Sequence, residues 1–376
     1  MFFLCEKDKL FEAVTTVISA VSSKSPLPIL KGILVNTDDN AVILTTNNMD
    51  MGIECRIPAE VRENGSAVIG DAKTFMEIVR KLPNDVISVD VDDNFGATIK
   101  CRKSVYDIKC LSSDEFPELP AIKEKANIKI QSDVLKKIVR QTGYAVSQRT
   151  DKLILTGSLF EIENNILTVV SLDGFRMALK KESIVSDGNE KFVVSGKALS
   201  DVARIIKDDE TPVNIKITDK HIVFLFENTK VISRLLEGDF FNYKSIIPSD
   251  FKINLNIKLS DILTCVERAD PIVAIDIGKN PIKITIDNSS LSVDCMTATG
   301  RVHDVIEIED CGEHLEIGFN QKYIHEALAA CDTDEVLMRF NGSLNPAIIT
   351  PTEGDDFMRY YISDLHFYHE NLNTKM

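Results

Sequence analysis

The 376-residue chain repeats itself, and this limits the folds open to it more than any other feature. Lys73 to Leu82, Lys197 to Ile206 and Lys322 to Cys331 share one pattern, their lysines 124 and 125 residues apart. Apolar residues recur at i, i+3, i+4 and i+7: Phe75/Ile78/Val79/Leu82, Leu199/Val202/Ala203/Ile206 and Ile324/Ala327/Leu328/Cys331. That spacing predicts a helix with one buried face. A second helix opens each unit, with apolar sets Phe11/Val14/Thr15/Ile18, Leu135/Ile138/Val139/Thr142 and Ile262/Cys265/Val266/Ala269. Ser132-Asp133 and Ser260-Asp261 precede the latter two as expected N-caps. Strand pairs joined by turn residues follow at 34–44, 159–169 and 282–293. Phe116 and Phe240 close the first two units at the same spacing, each with a proline downstream, Pro120 and Pro248. The chain therefore reads as α+β, in three domains of like fold at 1–122, 123–249 and 250–376. Each has two helices and about eight strands.

The helices carry a charge signal that the chain average conceals. Overall the formal charge is −15, which should repel nucleic acid and anionic membranes. Yet the six helical windows together hold +4, leaving the rest strongly acidic. Lys73 and Lys197 occupy one repeat position and Arg80 and Arg204 another, seven residues on and so on the same helix side. Lys81 and Lys207 extend that side, and Lys136, Lys137 and Arg140 cluster on the second unit's first helix. In the third unit Ala329 stands where an arginine is expected, and 260–270 is acidic. A partner held this way would be gripped by its phosphates, without base readout.

Nothing points to catalysis. The chain contains no GxGxxG, GxxxxGK[ST], HExxH or GxSxG. Its eight cysteines are scattered without a CxxC, which predicts reduced, mostly buried thiols and no structural zinc. His366 and His369 alone have ligand-like spacing, in a polar tail, and no cofactor or metal is expected. No stretch is apolar for the ~20 residues a membrane helix needs, and Glu6, Lys7 and Asp8 interrupt any leader-like run. A cytoplasmic, non-catalytic binding protein is the expectation.

Several stretches resemble the bacterial DNA polymerase III beta subunits, the beta sliding clamps. They are Ser25 to Leu34, Leu167 to Ala178, Glu237 to Pro248 and Leu315 to Tyr323. The resemblance runs over nearly the whole chain. It implies a head-to-tail homodimer closing a six-domain ring, with helices around a hole that duplex DNA passes through and no reaction catalysed. It also implies tethering of the replicative polymerase, the clamp loader and repair polymerases through short peptides. By the same carry-over Lys24, Gln148, Arg149 and Lys152 lie near DNA. Tyr106 and Ile108 face Pro271 and Ile272 of the second copy. The peptide groove takes in Leu155, Leu172, Gly174, Phe175, Arg176, Met177, Phe241, Ser245 and Ile246, with Tyr361, Ile362 and Leu365 as further apolar wall.

The pattern is not followed everywhere. Phe241 replaces a usual proline, Phe175 an often-polar residue and Ser245 a frequently basic one. The family's closing Pro-x-Arg is absent: Asp364 and His366 stand in its place, and ten residues follow His366. Two readings result. Either this is the main processivity clamp with its groove retained, or it is a clamp-fold paralogue or mobile-element clamp whose groove is altered or covered by 367–376.

Overall fold

The computed structural model describes residues 1–22, 27–122, 125–186, 188–248, 250–273, 282–298, 300–352 and 358–362. Among them are seven α-helices: α1 (Lys7–Val17), α2 (Ala72–Lys81), α3 (Ser132–Thr142), α4 (Gly196–Ile205), α5 (Leu259–Arg268), α6 (Asp270–Val273) and α7 (Gln321–Ala329). All six long helices fall where the apolar periodicity predicts them. The repeated helices α2, α4 and α7 end before the last apolar member of each set. Leu82, Ile206 and Cys331 nevertheless stay buried, because the chain leaves the helix towards the core.

Two local expectations are corrected. Ser260-Asp261 does not cap α5, which starts one residue earlier with Lys258 at the N-cap and no side-chain cap bond. The Leu259 N–H is met instead by the Asp334 carbonyl at 2.8 Å. Ser132 lies inside α3, its hydroxyl donating to the Asp209 and Thr211 carbonyls at 3.0 Å each. In α1 the buried face is Leu10, Ala13, Val14 and Val17, while Thr15 is exposed. An i, i+3, i+4, i+7 pattern fits either of two neighbouring faces there, and the one with more apolar area is buried. True caps occur on α2, where Asp71 accepts from the Thr74 N–H at 3.0 Å, and on α7, where Asn320 accepts from the Lys322 N–H.

The chain folds into two compact units. One comprises residues 1–135, 185–187 and 197–235, the other 136–184, 188–196 and 236–376. The first holds a 14-stranded sheet and the second an 8-stranded and a 4-stranded sheet, every pairing antiparallel. The hairpin at 157–172 turns on Asn164 and Asn165, both with positive φ, the two-residue turn that matches strand twist.

The repeats are stitched strand to strand. Met51–Pro58 of the first repeat pairs with Thr229–Arg234 of the second, Thr229 opposite Cys55. At the same repeat position, Arg176–Ser183 pairs with Met358–Ile362 of the third, Arg176 opposite Ile362. The third member of this series, Arg301–Glu307, is the edge of its sheet and pairs only with Ser290–Met296 among the described residues. Likewise Ser104–Leu111, the first-repeat counterpart of Thr229–Arg234, meets Val68 and Ile69 only through Leu111 and Cys110. Among the described residues its 104–109 stretch pairs on one side alone, with Val105 and Tyr106 54% and 38% exposed; Val305 on the other edge is 52% exposed. All eight cysteines are free thiols and seven are buried, as the sequence predicts. Burial pushes the Cys331 thiol up to about 12. Among the described residues, no helix is long and apolar enough to cross a membrane.

Candidate functional site

The basic residues fall on helix surfaces, but most are already engaged. Lys73 and Arg80 are exposed on α2, and Lys197 and Arg204 on α4. Arg80 pairs with Glu77 and Arg204 with Asp201, both at i, i+3. Glu77, Asp201 and Glu326 occupy one repeat position, 124 and 125 residues apart. This acidic companion was legible in the spacing but is missing from the sequence reading. Asp201 differs from Glu77 in being buried, and one of its oxygens has no hydrogen-bond partner. Burial pushes its carboxyl above the usual range, against the pull of Arg204 and Lys197.

Lys136, Lys137 and Arg140 lie on α3, where Lys137 (3.1 Å) and Arg140 both bridge Asp332. Burial pushes the Asp332 carboxyl up, but the hydrogen bonds from Arg140 and Lys137 win and hold it below the usual range. These two bases are thus tied to the third repeat rather than forming an unopposed patch. Gln148, Arg149 and Lys152 are exposed in the loop after α3, where the Ser147 hydroxyl accepts from the Arg149 N–H at 3.1 Å. Lys24, at the repeat position of Arg149, lies outside the described residues.

The expected groove residues divide into two groups. Leu155, Leu172 and Met177 join one apolar cluster with Leu179, Tyr243, Ile348, Phe240 and Ile247. None of the last five was anticipated; Ile348, buried in the cluster, comes from the third repeat. Phe241 and Ile246 project from the adjoining 240–247 segment, 51% and 42% exposed. That segment is pinned by Glu161, which accepts from the Tyr243 hydroxyl at 2.6 Å and from Lys244 Nζ at 3.0 Å. Burial raises the Glu161 carboxyl, but those two bonds and the Lys191 charge outweigh it and hold it below its ordinary value. Ser245 closes the turn, its hydroxyl donating to the Asn242 carbonyl at 2.7 Å. In the first repeat, Leu119 packs over Gly52, the counterpart of Met177, and Asn47 Nδ2 donates to the Pro117 carbonyl. By the Phe116–Phe240 spacing the residue matching Leu119 in the second repeat is Tyr243, which is likewise buried against the cluster that holds Met177.

Gly174, Phe175 and Arg176 form the second group. Gly174 is exposed at φ +92°, a conformation open to glycine at little cost. Asp173 closes the turn by accepting from the Phe175 and Arg176 N–H groups at 2.9 and 3.1 Å. The Phe175 ring packs tilted against Tyr323 of α7, their centroids 6.0 Å apart. Arg176 was expected to line the groove, but its side chain is only 8% exposed and internally committed. It bonds Asp173, Glu326 and the Tyr144 carbonyl, and lies over the Tyr144 and Tyr323 rings. The backbones of Tyr361 and Ile362 sit opposite Met177 and Arg176 in the sheet; Leu365 lies outside the described residues. Pro271 is exposed on α6, and Ile272 beside it is half-buried against the third-repeat core near Gly300.

Comparison with known proteins accounts for the whole arrangement. Residues 1–120, 129–242 and 244–364 match the N-terminal, central and C-terminal domains of the DNA polymerase III beta subunit. The beta sliding clamp of Halalkalibacterium halodurans is 33% identical over 96% of this chain and 98% of its own. That of Bacillus subtilis is 33% identical over 94% and 97%. The crystal structure of the Bacillus subtilis DNA polymerase sliding clamp superposes with a TM-score of 0.92 at 32% identity, covering 97% of this chain and 99% of that one. Three repeats of one α+β fold, joined edge to edge, are thus three clamp domains, and the chain belongs to the DNA polymerase III beta subunit family of sliding clamps.

Proposed function

We infer that this chain is a cytoplasmic, non-catalytic processivity factor: two copies close head to tail around duplex DNA and tether polymerases and a clamp loader. One observation carries the reading. Two of the three like edge strands are filled by the next repeat, while Arg301–Glu307 and the 104–109 stretch are each paired on one side alone among the described residues. Such edges invite pairing with another chain, and pairing each with its counterpart in a second copy makes a closed two-fold assembly. Carrying the Thr229–Cys55 register forward through the matching hairpins, by 125 and then 124 residues, sets Ser104 opposite Asp304, Tyr106 opposite Val302 and Asp107 opposite Arg301. Pro271 and Ile272 then flank the end of that junction, beside Gly300.

The domain limits 1–122, 123–249 and 250–376 follow the same repeat. Phosphates are met by Lys73, Arg80, Lys197 and Arg204, with Lys24, Gln148, Arg149, Lys152, Lys136, Lys137 and Arg140 contributing. Arg80 and Arg204 each keep an acidic companion, so a phosphate must compete for the guanidinium. Contacts of that kind hold DNA loosely and without sequence preference, as sliding requires. Partner peptides with apolar anchors enter over Leu155, Leu172 and Met177, between Phe241, Ile246 and Phe175. The test is the mass in solution by light scattering. A value near twice 42.0 kDa supports the closed pair, and a strict monomer at micromolar concentration refutes it.

A further inference from the structure

We propose that Glu326, on helix α7, is a positioning residue for the peptide groove, acting through Arg176 without itself meeting the peptide. The inference rests on the groove reading above and deepens it.

The repeats supply the comparison. Glu77 and Asp201, at the same position in α2 and α4, neutralise an arginine three residues on in their own helix. In α7 that residue is Ala329, and Glu326 bonds Arg176 instead. The first repeat forms the same turn as 173–176 without any arginine. Asn48 accepts from the Asp50 and Met51 N–H groups at 3.1 and 2.8 Å, Met49 takes the positive φ of Gly174, and Met51 stands where Arg176 does. The turn therefore closes on its own Asp or Asn. What Arg176 adds is attachment.

Its guanidinium is a fixed fork with three loaded prongs: Nε to Asp173 at 3.0 Å, Nη2 to the Tyr144 carbonyl at 2.7 Å, and Nη1 to Glu326. The Tyr323 ring lies 4.4 Å from its carbon and the Tyr144 ring 5.2 Å. Phe175, the next residue back, leans on that same Tyr323. Removing the Glu326 charge leaves a mostly buried cation short of one anion and loosens the link between α7 and the turn. Phe175 and Met177, on either side of Arg176, then lose their fixed relation to the apolar cluster at Ile348. Reduced affinity follows without loss of any peptide contact.

The test uses the full chain and a fluorescein-labelled synthetic peptide carrying Leu and Phe anchors, read by anisotropy. Glu326→Gln, which keeps shape and removes charge, is expected to weaken binding about tenfold while solution mass and melting temperature stay those of the wild type. Arg176→Lys should lose as much, since an ammonium cannot reproduce the fork, and the double variant should lose little more than either alone. Amide exchange at Phe175 and Arg176, read without peptide, should quicken about tenfold in Glu326→Gln. Wild-type affinity together with unchanged exchange in Glu326→Gln would overturn the proposal and leave the groove standing. If the wild type does not bind the peptide, or Met177→Glu binds as well as it does, the groove reading fails and takes the proposal with it.

Discussion

The junction register makes a prediction that depends on charge sign at a single position. If Asp107 of one copy faces Arg301 of the other, Asp107→Lys sets two cations side by side across the strand pair. Asp107→Asn instead only removes the carboxylate. Both variants lose the same acid, so their difference isolates the added charge. Directly opposed residues in an antiparallel pair have Cβ atoms roughly 5 Å apart, and such pairs change stability by about 0.2–1 kcal/mol. The proposed ring contains two equivalent junctions, so Asp107→Lys costs about 0.4–2 kcal/mol beyond the shared loss, or about 2- to 30-fold in dimer dissociation. Arg301 already meets Asp294 at 3.1 Å with its side chain largely in solvent, which favours the lower half of that range. Sedimentation over a concentration series measures the constants, and the gap between variants should narrow at high salt. Adding Arg301→Asp to Asp107→Lys should restore dimerisation. Equal dissociation constants for the Lys and Asn variants, or no rescue by the second change, would refute the register.

Three further predictions concern groups inside one copy. Arg80→Glu with Arg204→Glu should shorten retention on nicked circular DNA and flatten its salt dependence while leaving the dimer mass unchanged; unaltered retention would remove both arginines from the phosphate path. Asp201→Asn should melt at or above the wild-type temperature at neutral pH and lengthen retention by releasing Arg204. The buried carboxyl has a raised pKa, so a cost in stability grows as pH rises from the ordinary value to the raised one and is complete above it, and a clear drop in melting temperature would contradict this. Glu161 has the opposite sign. Its carboxyl is held below the ordinary value, so its contribution is present above the ordinary carboxylate range and fades as pH falls through the lowered one. Glu161→Gln should therefore show a shallower acid-side loss of melting temperature than the wild type, and parallel curves would exclude the role.

Apolar spacing was enough to place the six long helices, because a period of 3.6 with whole sets such as Ile262, Cys265, Val266 and Ala269 leaves few alternatives. It failed where two registers were equally periodic, as in α1, and where a serine stood near a helix start without lying at its cap, as in α5. The groove's apolar members Leu155, Leu172 and Met177 were likewise accessible through resemblance. Their neighbours Ile348 and Tyr243 were not, since they reach the cluster from distant segments that only the folded sheet brings near. Arg176 shows the deeper limit. A residue that matches a groove position in a motif can be turned inward by partners 32 and 150 residues away, and no local pattern records that.

The same comparison explains why the third repeat departs from the basic pattern of the first two. Its second helix keeps the lysine and the acidic residue of its counterparts, Lys322 and Glu326, but has Ala329 in place of the arginine. Loss of a base from a helix of the otherwise basic series looks like decay when the helix is considered alone. In the folded chain the freed carboxylate is taken up by Arg176, while Asp332, just beyond the same helix, takes up Lys137 and Arg140 of the second repeat. Both ends of this segment thus supply acid to bases of the domain before it. The acid of Glu326 and Asp332 thus joins the third repeat to the second, and under the proposed function phosphate contact falls to the helices of the first two.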